Sequence, residues 1–167
     1  MEQNQNEDII PELDLNDPET VRLLSKKDIS VGSFADIFLR LLPQKFNGFS
    51  LEFWYDSRQC VWRGLYANKD GTPLFTCNNV LPEEAARAVL YKLISDGIVR
   101  VRERDGVMGI MQNGERYVIV PASYNVCSAC HFFISRCNNI CQGFTNGNGT
   151  GVFFIRPGKR RNGDDGR

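Results

Sequence analysis

An α+β fold is what the sequence predicts, and three patterns predict it. "SFADIFLRLLPQKF" has apolar residues at helical spacing, three strand-like runs follow it, and "LPEEAARAVLYKLISDG" is a long amphipathic helix. The expected architecture is helix, three-stranded antiparallel meander and helix, then β-hairpins and a small four-cysteine knot. At 167 residues, with 42% hydrophobic and 24% charged side chains, the chain suits about one domain with a real core.

Residues 1–28 read as a flexible acidic tail, because "MEQNQNEDIIPELDLNDPE" holds seven acidic side chains and no basic one. Residues 29–97 hold the core. Ser33 is placed to cap the first helix with Asp36 three residues on; Phe34, Ile37, Phe38 and Leu41 form its apolar stripe, and Pro43 stops it. "FSLEFWY" alternates in period two, with Phe49, Leu51, Phe53 and Tyr55 on one face. "CVWRGLYA" is the second strand after the turn "DSRQ", and "TPLFTC" the third after "NKDG". In the long helix Pro82 suits the first turn and Glu83 and Glu84 complement the helix dipole. Ala86, Val89, Leu90, Leu93 and Ile94 make its apolar face, and Gly97 ends it after Asp96.

Residues 98–157 form a β-rich segment. "IVRVRE", "VMGIM" and "RYVIVP" are separated by the turn signals "RDG" and "QNG", and "GVFFIR" closes the ordered part. Residues 158–167 read as a polar, basic tail. No apolar run approaches the roughly 20 residues that a membrane span needs. The N-terminal stretch is acidic and has no apolar signal-like region. A cytoplasmic protein, whose thiols stay reduced, is the expectation.

Four of the six cysteines fall in "CSACHFFISRCNNIC", as Cys127, Cys130, Cys137 and Cys141. Two thiols two apart can grip a metal from a tight turn, and a second pair from a short loop completes a tetrahedron suited to Zn²⁺. A disulfide or redox pair, free thiols, and an iron–sulfur or haem site are the alternatives. "CSACH" matches the haem-attachment pattern. Haem attachment would imply export, however, and would leave the second thiol pair without a role. The one histidine, His131, reads as a surface residue, while Cys60 and Cys77 read as small core hydrophobes.

The "LLPQ" helix end, the strand after it, "PEEAARAVLYKLISDG" and the tail "YVIVPASYNVCSACHFFISRCNNIC" with "GVFFIR" resemble small uncharacterised proteins of gut Bacteroidetes phages and mobile elements. The resemblance spans roughly residues 33–156. It implies a bacterial or phage origin and no catalytic activity. The loop "GFTNGNGTG" and His131 depart from that pattern. The helix–meander–helix order is also that of double-stranded RNA-binding domains. Glu83 and Glu84 stand where those domains place phosphate-gripping lysines, so the assignment is rejected.

No convergent nucleophile and base, and no phosphate-cradling loop followed by lysine and helix, is present in the sequence, so an enzyme is disfavoured. The expected function is a small non-enzymatic binding module with a structural zinc knot, a phage or mobile-element accessory protein contacting a protein partner. Trp54, Trp62 and Tyr66, assigned to the less apolar faces of the first two strands, are its candidate contact residues. The alternative is a nucleic-acid binder that uses Arg100, Arg102 and Arg104 on a hairpin arm with Arg156, Lys159, Arg160 and Arg161 of the basic end.

Overall fold

The computed structural model describes residues 11–25, 31–103, 110–122, 130–131 and 151–155. Along them run β1 (Glu12–Asp14), α1 (Pro18–Ser25) and α2 (Val31–Asp36), which a π-helical turn (Ile37–Leu41) prolongs. Then come β2 (Lys45–Phe46), β3 (Phe49–Asp56), β4 (Val61–Ala67), β5 (Pro73–Asn79) and α3 (Pro82–Ser95). β6 (Arg100–Arg102), β7 (Ile110–Gln112), β8 (Glu115–Ala122) and β9 (Gly151–Ile155) complete the order. The class is α+β, as expected.

The meander forms as its alternation predicts, with one addition. β2 hydrogen-bonds to β3, so the sheet runs β2-β3-β4-β5, antiparallel throughout. The first helix differs in its start and its end. Helix α2 is already formed at Val31, which puts Ser33 inside it rather than at its cap. Pro43 excludes Leu42 from helical backbone, and the last turn widens so that Leu42 N–H donates to the Ile37 carbonyl five residues back.

Helix α3 sits between two sheets. Val89 meets the meander at Gly64, while Tyr91, on the opposite side of the helix, packs edge-on against Phe153 of β9 at 5.0 Å. Ala85, Arg87 and Tyr91 are buried along with the predicted apolar face, and the core cluster runs continuously from Tyr66 through α3 to Val120 and Phe153. Gly97 ends the helix at φ 72°, donating to the Ile94 carbonyl. The "QNG" hairpin is present: Asn113 and Gly114 both take positive φ between β7 and β8. β9 then pairs antiparallel with β8.

Two expectations are corrected. Among the described residues "IVRVRE" pairs not with the following strand but with the N-terminal one; its β6 lies parallel to β1, with Glu12, Leu13 and Asp14 opposite Arg100, Val101 and Arg102. The acidic N-terminal stretch is accordingly no loose tail over residues 11–25. Leu13, Leu15, Leu23 and Leu24 are buried in the main core. Asp17 caps α1, its carboxylate accepting from the Thr20 N–H and hydroxyl at 3.1 and 2.7 Å. At the other end of that helix Arg87 Nε donates to the Leu23 carbonyl and the Tyr91 hydroxyl to that of Leu24, so α3 satisfies orphan carbonyls of α1. The "RDG" turn and the basic end after Ile155 lie outside the described residues.

Candidate functional site

The register of β3 with β4 divides the meander's side chains between two faces. Tyr55 opposite Trp62, Phe53 opposite Gly64 and Leu51 opposite Tyr66 make the inner face. Phe34 and Phe38 cover Phe53 at ring separations of 5.0 and 5.9 Å, and Trp62 stacks on Phe53 at 5.7 Å. Tyr66 is 0% exposed and donates its hydroxyl to the Pro43 carbonyl at 2.6 Å; burial holds its phenol protonated well beyond the usual range. Trp62 and Tyr66 therefore do not share a face with Trp54, and the three-aromatic contact patch is corrected. The sequence pattern of β4 is ambiguous because both of its faces are half apolar. Only pairing to β3 fixes which one turns inward.

Trp54 stands on the outer face. It lies opposite Arg63, which lies opposite Asn78; Glu52, Leu65 and Thr76 form the next row. Trp54 is 39% exposed, and Leu74, the extra residue where the β4–β5 register shifts, is 43% exposed. Asp56 fixes Arg63 with an ion pair at 2.9 Å, and Arg63 donates onward to Gln59 at 2.7 Å. That guanidinium, followed by the backbone N–H groups of Gln59 and Arg58, holds the Asp56 carboxyl below the usual carboxylate range. The result is a part-apolar, part-charged surface with an oriented arginine beside an indole. Tyr55 is exposed at the hairpin end, where its hydrogen bond with Cys60 pushes the phenol up.

The arginines of the alternative reading sit among acids. Arg100 and Arg102 are exposed, but the parallel ladder sets them opposite Glu12 and Asp14, and Arg102 approaches those carboxylates at 3.8 and 3.6 Å. Glu103 pairs with Arg116. Arg104, Arg156, Lys159, Arg160 and Arg161 lie outside the described residues.

Of the four clustered cysteines only Cys130 is described. It is half-buried and packs against both the main core and the smaller cluster of Tyr117, Val152 and Phe154. The neighbouring His131 ring lies 5.0 Å from that of Tyr117. Cys127, Cys137 and Cys141 lie outside the described residues, and no group of metal-ligating side chains occurs among the described ones. Cys77 is half-buried on the inner face, where burial pushes its thiol up to about 11. Cys60 is exposed at the tip of the β3–β4 hairpin, not in the core as expected.

A cleft of about 270 Å³ opens between β1, α1 and the end of the π-helical turn, lined by Glu12, Asp14, Thr20, Arg40, Leu42 and Val99. Its polar groups are engaged locally: Asp14 accepts from Asn16, Thr20 donates to Asp17, and Arg40 approaches Glu19 at 3.5 Å. No helix among the described residues is long and apolar enough to cross a membrane. Compared with protein-family models, curated proteins and solved structures, the chain matches none.

Proposed function

We propose that this chain is a non-enzymatic binding module that holds a protein partner on the outer face of the β2–β5 sheet. The observation that carries the reading is the open pair of rows Trp54–Arg63–Asn78 and Glu52–Leu65–Thr76, with an exposed indole next to an arginine already oriented by Asp56. Tryptophan and arginine are the side chains that most often dominate protein contacts, and an arginine held in place loses less freedom on binding. Cys127, Cys130, Cys137 and Cys141 bind one Zn²⁺, in a cytoplasm that keeps thiols reduced. A phage or mobile-element accessory protein fits this description.

The test places a photo-crosslinking amino acid at position 54 of the full chain in cells that produce it. A discrete protein adduct at position 54, absent when the label sits at the exposed turn residue Lys69, is the expected result. Adducts that nuclease removes would transfer the role to nucleic acid. For the metal, protein purified without chelator should carry one zinc per chain, lost in Cys127→Ser and in Cys141→Ser. Metal-free protein lacking four titratable thiols would replace zinc with disulfides.

A further inference from the structure

Glu83, Arg87 and Tyr91 of α3 are all buried, although two of the three carry charge; Glu83 is 3% exposed and Arg87 1%. Spaced four apart, they share one face of the helix. That face holds the end of α1. Arg87 Nε donates to the Leu23 carbonyl at 3.1 Å, and the Tyr91 hydroxyl to the Leu24 carbonyl at 3.3 Å. Arg87 Nη1 pairs with Glu84 on its own helix. Among the described residues, Arg87 Nη2 and Glu83 Oε1 are buried with no hydrogen-bond partner, and so is the hydroxyl of Ser25, the last residue of α1. A buried polar atom left unpaired costs more than an ordinary hydrogen bond returns, so each one calls for a reason. The docking of α1 thus carries a penalty at the place where the helix is fastened.

We propose that α1 is a latch: it opens from α3 as a unit, and its opening relieves the buried Glu83 and Arg87. Once the Leu23 carbonyl has left, Arg87 can turn to Glu83 one turn back along its own helix. An acid four residues before a base is the favoured order for such a pair, and it gives both leftover atoms a partner. The closed form is held against this by the apolar burial of Leu23 and Leu24, both 0% exposed, and by the two hydrogen bonds to their carbonyls. Little else fastens α1. At eight residues it is too short to be stable alone. Its ion pairs, Arg22 with Glu19 at 2.5 Å, Arg40 with Glu19 at 3.5 Å and Arg22 with Asp36 at 4.0 Å, are exposed and worth little. Upstream, β1 meets β6 over only three residues. Opening takes Leu23 and Leu24 out of the main core and bares the side of β8 against which α1 packs. Trp54 lies on the other sheet, so the latch stands or falls separately from the partner face.

The test is residue-resolved hydrogen exchange on the full chain, in the wild type and in Glu83→Met. In the wild type the amides of Val21, Leu23 and Leu24 should share one opening equilibrium, well above that of Val89, Leu90 and Leu93 in α3, because the latch opens without global unfolding. Glu83→Met takes the carboxylate out of the junction and with it the penalty that opening relieves. The three α1 amides should then exchange about tenfold more slowly or beyond, although the substitution lies on a different helix. Amides of α1 that exchange only as fast as those of α3 overturn the proposal, and this comparison needs no variant to fold. Rates graded from the helix ends inward overturn it too, since that is fraying. In Glu83→Met, unchanged α1 exchange would mean that opening does not free the carboxylate. Faster exchange would mean that the carboxylate is already satisfied in the closed form. Either result overturns the latch.

Discussion

At the residue scale, Gly64 decides how closely α3 can approach the meander. A Cβ at this position would lie 2.7 Å from Val89 Cγ2 and 2.9 Å from the Phe53 ring, and both neighbours are held in the core. Gly64→Ala should therefore destabilise the chain by about 1–3 kcal/mol through overpacking, read as a lower urea midpoint with an unchanged slope. An unaltered midpoint would mean that helix and sheet are not in contact there. Cys60 presents the opposite case. It adopts φ 53° at the hairpin tip, a left-handed backbone that costs a side-chain-bearing residue about 1 kcal/mol. Cys60→Gly should recover much of that cost in the same experiment, and a loss of stability would show that the thiol's contact with Tyr55 outweighs the strain. The sequence carried part of this. A lone glycine in a strand signals close approach of backbone or helix, but which face of β4 it opens was not readable. Trp62, Gly64 and Tyr66 on one side and Val61, Arg63 and Leu65 on the other are about equally apolar, so the pattern alone does not choose.

At the element scale, the long helix and the meander were legible because their signals are local: period two, period 3.6, a proline at the helix start and a glycine at its end. β1 and α1 were not, because what orders them is distant. β1 is three residues long and finds its partner in β6, a separation like the 87 residues between Asn16 and Glu103, whose carbonyl accepts from the Asn16 amide. The signal available was "DPET" ahead of "VRLL", an N-cap, a first-turn proline and an acidic first turn, masked by the acidity of its surroundings. The cap gives a pH test. The Thr20 hydroxyl, with the backbone N–H groups of Glu19 and Thr20, holds the Asp17 carboxyl below its usual value. A carboxyl with a depressed folded value contributes stability above its unfolded value of about 3.9 and loses it as pH falls through the folded one. The gap in melting temperature between the wild type and Asp17→Ala should therefore be widest near neutral pH and close in acid. A gap that is constant with pH would remove the charge from the explanation. The same helix depends on α3, since Arg87, 1% exposed, holds the Leu23 carbonyl while pairing with Glu84.

At the scale of the whole molecule, the described parts form three sheets, β1-β6, β2-β3-β4-β5 and β7-β8-β9, with α3 between the last two, and among the described residues no element covers the meander's outer face. Among the described residues, Arg100 and Arg102 form no unanswered basic patch, because the β1–β6 ladder matches them to Glu12 and Asp14. Their alternation was legible in the sequence, but the acids that answer them came from a strand the sequence concealed. The most direct test of a contact surface on the outer face is hydroxyl-radical footprinting of the full chain, purified and inside the cells that make it. In the purified chain Trp54 should oxidise well ahead of Trp62, whose ring stacks on Phe53, and inside the cell Trp54 should become protected while Trp62 stays slow. Trp62 oxidising first, or Trp54 reacting equally in both settings, would contradict it.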